Sequence, residues 1–182
     1  GNIAPLAAEL AGVLPALAPR AVECIFVDDG STDGTRGEIL AARSRHPGLG
    51  IRVVALDGNH GLSTAMDAGF KAARGELVAT LDTDLQNDPR DLPRLLAALE
   101  GADAAVGVRV RRRDSLLKRL TSKVGNAARN RLTGEDIADT GCSLKVYRRA
   151  FLSRLKLYDG LHRFLPTLLR LEGARVVQVP VN

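Results

Sequence analysis

Short apolar runs alternate with longer amphipathic stretches along the whole chain, and this alternation is its main structural signal. Residues 4–18 are rich in Ala and Leu and read as a helix, with Pro5 allowed in the first turn and Pro15 expected to kink or end it. Residues 22–27 form the first clear strand. It runs into Asp28-Asp29-Gly30-Ser31-Thr32-Asp33-Gly34-Thr35, a polar turn that opens a helix reaching about Arg45. A second strand spans 51–56 and is followed by Asp57-Gly58-Asn59-His60-Gly61. The next helix, 63–74, is expected to stop at Gly75 in a left-handed conformation. Residues 77–81 read as a buried third strand, and Pro89 starts a helix running to about Glu100. A fourth strand covers 102–108, and a helix is expected from Ser115 to about Leu132. Strands at 143–147 and 175–179 enclose a helix around 161–172. The pattern predicts one α/β domain over residues 1–182, with a mostly parallel sheet covered by helices on both faces. No internal repeat or low-complexity linker interrupts it.

Two strand ends carry acid. Asp82 and Asp84 are two residues apart, so in an extended segment both carboxylates leave on one face, and Gln86 continues the spacing. Three oxygen donors at the carboxyl end of a strand suit a hard divalent cation. They also lie where open α/β sheets place their ligands. The competing reading is turn and cap chemistry, and Asp88 before Pro89 fits a cap. Asp28 and Asp29 present the same choice. They can accept hydrogen bonds from a base or a ribose hydroxyl, or they can belong to a turn with Ser31, Thr32 and Asp33 as capping residues. Asn59 and Gly61 can line a nucleotide pocket, whereas His60 taken alone reads as an exposed loop residue and His162 stays ambiguous. No G-x-G-x-x-G occurs, which excludes a Rossmann dinucleotide site.

Composition narrows the classes. A hydrophobic content of 45% over 182 residues supplies a globular core. Aromatic residues are 3% and Trp is absent, which argues against stacking on single-stranded nucleic acid. Cys24 and Cys142 are far apart and read as reduced core thiols, which suggests a cytosolic compartment. No apolar run approaches the roughly 20 residues that span a bilayer, and the first residues do not read as a signal peptide.

Charge is concentrated. Between Arg109 and Arg131 stand nine basic residues against one acid, Asp114, a net +8; the chain as a whole is +5, so the remainder is −3. The segment reads as a solvated helical face, as a phosphate-binding element with Arg and Lys beside Ser122, or as a helix drawn to an anionic membrane surface. Leu116, Leu117, Leu120 and Val124 fall at helical spacing, which suits either packing on the sheet or a membrane-surface helix. A nucleic-acid-binding module would use the basic segment but leave the acidic strand ends unexplained.

Taken together and in order, Val27-Asp28-Asp29-Gly30-Ser31-Thr32-Asp33-Gly34-Thr35, Asn59-x-Gly61, Ala73-Arg74-Gly75 and Leu81-Asp82-x-Asp84-Leu85-Gln86 resemble the inverting family 2 glycosyltransferases of the GT-A fold. That fold is a Rossmann-like α/β architecture for nucleotide-diphospho-sugars. Gly107-x-Arg109, Lys118-Arg119-x-x-Ser122, Asp139-Thr140-Gly141-Cys142-Ser143-Leu144-Lys145, His162-Arg163-Phe164-Leu165-Pro166 and Val179-Pro180-Val181 narrow the resemblance. They are similar to the polyprenyl-phosphate sugar transferases, among them dolichyl-phosphate mannose synthases and undecaprenyl-phosphate glycosyltransferases. Family members begin with a strand ending in Pro-x-Tyr-Asn-Glu and continue into a basic tail. This chain is therefore expected to be truncated at both ends, with strand edges left unpaired.

The resemblance implies transfer of a sugar from a UDP- or GDP-sugar to a polyprenyl phosphate with inversion. It implies Mg²⁺ or Mn²⁺ on Asp84 and Gln86, with Asp82 contacting donor or metal, and donor binding by Asp28, Asp29, Asn59, Gly61, Asp82 and Asp84. Arg109, Lys118, Arg119 and Ser122 would hold the acceptor phosphate. Asp82, Asp84 and Asp139 would be the catalytic carboxylates, Asp139 acting as base or as a positioning group. The expected setting is the cytoplasmic face of a membrane, with self-association left open. The rival enzyme reading is a family 2 transferase acting on a sugar hydroxyl of a cell-surface polysaccharide. It would need a true base and no phosphate cluster, and a processive synthase would show Gln-x-x-Arg-Trp, which a chain without Trp cannot contain.

Overall fold

Two small sheets are covered by helices, and the first helix packs on both. The computed structural model describes residues 1–110 and 137–182, so the expected helix from Ser115 and the residues Lys118, Arg119 and Ser122 lie outside the described residues.

The first sheet pairs β1 (Ile25–Asp28) in parallel with β2 (Arg52–Ala55), Asp28 standing opposite Ala55. Helix α1 (Ile3–Leu17) and helix α2 (Thr35–Arg45) cover one face. Their apolar positions Ile3, Leu6, Ala7, Ile39 and Ala42 close over Phe26, Leu49 and Ile51. Helix α1 runs through Pro15 and ends two residues later. A proline so near the end removes one late hydrogen bond and not the helix. On the other face lies α3 (Leu62–Ala72), brought close at Gly69, where a Cβ would come 3.1 Å from Val27 Cγ2. Gly75 does not stop α3: the helix ends at Ala72 with Ala73 extended, and Gly75 is not among the positive-φ glycines.

The second sheet has the order β3–β5–β4–β6, formed by β3 (Leu77–Thr80), β4 (Ala104–Arg109), β5 (Lys145–Arg148) and β6 (Val176–Val181). β4 and β6 are parallel, whereas β5 runs antiparallel between β3 and β4. The chain is thus α/β with helices on both faces, one sheet parallel and the other mixed. The β5 inversion escapes a sequence reading because periodicity reports burial and not strand direction. One face of this sheet packs Ala105, Leu144, Val146, Val179 and Val181 against α1 and α4 (Leu92–Ala97). The other packs Ala104 and Tyr147 against Leu152 of α5 (Arg149–Leu152) and Leu165 and Leu169 of α6 (Leu165–Leu171).

β1 and β3 do not pair with each other. Between them is a cavity of about 1320 Å³, lined by residues 20–27 and 75–83 and by side chains of α1, α3 and α4. This explains a departure from expectation. β3 is only half-buried, with Ala79 exposed, because its outer edge faces the cavity. One end of the cavity reaches Asp82, Arg109, Ser143, Lys145 and His162.

Candidate active site

The loops after β1 and β2 are locked together by one carboxylate. Asp29 accepts from the backbone N–H of His60 at 2.8 Å and from that of Gly61 at 2.9 Å. Asn59 Oδ1 accepts from the same Gly61 N–H at 3.2 Å. Gly30 makes the approach feasible, since with φ +74° a Cβ there would fall 2.5 Å from the Gly58 carbonyl carbon. Asp28, buried at the end of β1, accepts from Ser31 N at 2.9 Å. Hydrogen bonds from the Ser31 side chain and backbone hold its carboxyl below the usual range, against the effect of burial. The structure thus brings Asp28, Asp29, Asn59 and Gly61 together; Asp28 makes the local bond of the turn reading, whereas Asp29 joins two loops. A carboxylate has about four acceptor positions, so each acid retains acceptor capacity for a ligand. His60 is exposed, with Nε2 at 2.6 Å from Asp57 Oδ1.

Asp82, Asp84 and Gln86 lie in one loop and not on a strand. β3 ends at Thr80, and the chain then turns, with Leu85 at φ 61°. Asp84 Oδ1 accepts from Gln86 N at 3.0 Å. Alternation along an extended strand therefore does not describe this segment; a tight loop does. Asp82 stands exposed on the cavity rim, yet partial desolvation raises its carboxyl pKa. A Ser143 hydrogen bond opposes the rise, repulsion from Asp84 adds to it, and Lys145 and His162 draw it back down.

Across the cavity end, Asp139 and Arg109 form a bidentate ion pair. Arg109 Nε lies 2.9 Å from Asp139 Oδ2 and Nη2 lies 3.2 Å from Oδ1, with the Gly141 N–H also 3.2 Å from Oδ1. The Asp139 side chain is 3% exposed and that of Arg109 17%. This carboxylate is occupied in orienting a guanidinium that still reaches the surface.

Three residues escaped the sequence reading as site members. Lys145 is buried and gives a hydrogen bond to Thr140 O at 3.3 Å. Desolvation lowers its pKa, while Cys142, Asp139 and Asp82 support the ammonium form. Ser63, buried at the start of α3, bonds His162 Nδ1 at 2.9 Å. Burial lowers the His162 pKa, and the positive charges of Arg163 and Lys145 push the same way. Ser143 accepts from Asp82 N at 3.1 Å and from Asn87 Nδ2 at 2.9 Å. Ser143 and Lys145 lie inside the Asp139–Lys145 motif, so that motif was the available signal. Nothing in the pattern links Ser63 to His162, 99 residues away.

The donor set can be tested against a cation. No group of three or more His, Cys, Asp or Glu residues that could hold a metal occurs among the described residues. Two carboxylates and one amide oxygen on an exposed loop are hard donors in a partial shell. That fits Mg²⁺ or Mn²⁺ when a diphosphate completes the coordination, and does not fit an all-protein cage.

Acidic loops at the strand ends of an α/β sheet pair agree with the resemblance drawn from the sequence motifs. Residues 7–156 match the model for glycosyl transferase family 2, and the chain belongs to that family. It is 42% identical over 170 residues to the dodecaprenyl-phosphate galacturonate synthase of Rhizobium johnstonii, covering 91% of this chain and 49% of that protein. It is 38% identical over 161 residues to the undecaprenyl-phosphate 4-deoxy-4-formamido-L-arabinose transferase of Edwardsiella ictaluri, covering 88% and 49%. The chain spans about half the length of the curated relatives it matches. Among solved structures it is similar to a mannosyltransferase from Pyrobaculum calidifontis in complex with GDP-Man and Mn²⁺, with TM-score 0.70 and 23% identity over 97% of this chain and 51% of that one. It is also similar to glucosyl-3-phosphoglycerate synthase from Mycobacterium tuberculosis with Mn²⁺ and UDP-glucose, with TM-score 0.66 and 22% identity over 96% and 65%. These likenesses establish the GT-A fold. No helix among the described residues is long and apolar enough to cross a membrane.

Proposed function

We propose that this domain transfers a sugar, with inversion, from a UDP- or GDP-sugar to a polyprenyl phosphate at the cytoplasmic face of a membrane. The observation that carries the reading is the meeting, at one end of one cavity, of the Asp82 carboxylate and the Asp139-oriented Arg109 guanidinium. An acidic wall suits a cation-bound diphosphate, and a basic wall suits an anionic acceptor. The names of the relatives, both polyprenyl-phosphate transferases, support the acceptor class.

In this reading Asp28, Asp29, Asn59 and Gly61 address the nucleoside, and Asp82 and Asp84 face the diphosphate and sugar. Asp84 and Gln86 hold Mg²⁺ or Mn²⁺, which when bound neutralises charge growing on the leaving diphosphate. Arg109, with Lys118, Arg119 and Ser122, grips the acceptor phosphate through charge-assisted hydrogen bonds. A phosphate monoester has a second pKa of about 6, so its oxygen is already an anionic nucleophile near neutrality. That oxygen forms the new bond to the anomeric carbon from the face opposite the leaving group. The bond from that carbon to the diphosphate breaks, and the nucleoside diphosphate departs with the electron pair. No proton has to be removed, which agrees with Asp139 being committed to Arg109. A sugar-hydroxyl acceptor would need a base, and the ion-paired Asp139 is poorly suited to that role.

The test is a donor screen, UDP- and GDP-sugars with undecaprenyl phosphate and Mn²⁺, on the full chain and its Asp84→Ala variant. Radiolabel should enter the lipid fraction for the wild type and fall at least a hundredfold in the variant. Wild-type turnover by Asp84→Ala would sink the metal assignment. Transfer to polysaccharide but not to lipid phosphate would sink the acceptor.

A further inference from the structure

One hydroxyl holds together the loop that carries the acidic cluster. The loop runs from Asp82 to Asn87 and includes Leu85 at φ 61°, a left-handed conformation that is unfavourable for a residue with a Cβ. Such backbone persists where its surroundings over-determine it. Within the loop the Asp84–Gln86 bond closes a turn, but that bond fixes neither end.

The ends are fixed by Ser143, on the approach to β5. Its Oγ accepts from the Asp82 N–H and from the Asn87 amide, so a single oxygen joins the first residue of the loop to the last. Asn87 is buried, and its Oδ1 receives the Cys142 thiol at 3.3 Å, so the amide is oriented from both sides. The Ser143 carbonyl accepts from Thr80 Oγ1 at 2.8 Å, which ties the same residue to the last position of β3. Substitution by alanine would spare that backbone contact and remove the hydroxyl clasp alone.

We infer that Ser143 is a positioning residue for the cation site: its hydroxyl clasps both ends of the Asp82–Asn87 loop and presents Asp84 and Gln86 together to a divalent ion. The inference rests on the assignment of those two residues to the metal. It adds the element that makes a two-carboxylate, one-amide set usable, since an unrestrained loop would spend binding free energy on ordering its ligands.

The experiment titrates the full chain with Mn²⁺, with and without UDP or GDP, following free Mn²⁺ by electron paramagnetic resonance. Ser143→Ala should weaken Mn²⁺ binding at least tenfold, and Ser143→Thr, which restores a hydroxyl, should return it to within about threefold of wild type. A fall in thermal midpoint with Mn²⁺ affinity unchanged marks a merely structural role and overturns the inference. Asp84→Ala run in parallel separates the two claims. If it abolishes binding while Ser143→Ala does not, the clasp alone is wrong. If neither variant changes binding, or the wild type binds no Mn²⁺, the metal reading fails and the clasp falls with it. Should Ser143→Ala lose its native circular dichroism, Asn87→Ala removes one of the two bonds and carries the test. A loss of threefold or more upholds the clasp, and unchanged affinity overturns it.

Discussion

Asp139 is a buried carboxylate committed to one guanidinium. With its side chain 3% exposed and two of its bonds taken by one guanidinium, it fixes the direction in which Arg109 points. Removing one partner of such a pair leaves a poorly solvated charge, a loss of about 3 kcal/mol. Asp139→Ala should therefore lower unfolding free energy by about that amount in urea denaturation. Asp139→Asn keeps an oxygen for the guanidinium and should lose about half as much. On the proposed reading, Asp139→Asn should also keep transfer to lipid phosphate within about tenfold of wild type. A general base would lose more, on the order of a hundredfold to ten-thousandfold. A loss of that size at unchanged stability would return Asp139 to the role of base.

At the scale of elements, Glu23 staples the approach to β1 to β2 and to the connection between α3 and β3. Its carboxylate accepts from Arg74 N at 2.7 Å, beyond the end of α3, and from Arg52 Nη1 at 2.7 Å on β2. The Arg74 backbone hydrogen bond is the first cause of a pKa held below the ordinary 4.5; burial opposes it, and Arg52 lowers it further. The folded protein thus binds fewer protons at Glu23 than the unfolded chain between the two values. The staple is fully present above the unfolded pKa and is lost as pH falls through the folded one. Glu23→Gln should cost about 1 kcal/mol at pH 7, small because solvent reaches the pair. The difference from wild type should close as pH drops below about 4, in denaturation curves taken between pH 3 and 7. A gap that persists at pH 3 would show that the staple does not act through the carboxylate charge.

Elements were the most legible level of this chain. Strands at 25–28, 52–55 and 104–109 stand where short apolar runs end in polar turns, because burial alone dictates that pattern. What could not be read was pairing. The 143–147 and 175–179 runs look alike in sequence, yet β5 is antiparallel to β4 and β6 is parallel to it. The candidate site divides the same way. Its acids were found by position at strand ends, whereas Ser143, Lys145 and the Ser63–His162 pair depend on contacts between distant segments. The Asp82–Gln86 spacing assumed an extended strand where the chain turns, since a left-handed Leu85 is invisible to a period-2 argument.

The whole molecule is electrostatically divided. Residues 109–131 carry +8, while the rest of the chain sums to −3. On the proposed reading, such a charge division would attract the basic segment to an anionic bilayer and disfavour approach by the acidic remainder. Each basic residue near such a surface contributes about 1 kcal/mol. Replacing Arg111, Arg112 and Arg113 together by Gln should then weaken binding to vesicles rich in phosphatidylserine by about a hundredfold. Raising salt from about 50 to 300 mM should weaken the wild type steeply, because exposed charges beyond a Debye length of roughly 8–10 Å are screened. Neutral phosphatidylcholine vesicles should bind poorly at every salt concentration. Co-sedimentation across that series reads all three outcomes. Equal binding to neutral and anionic vesicles would show that apolar contact and not charge brings the domain to the surface where a polyprenyl phosphate resides.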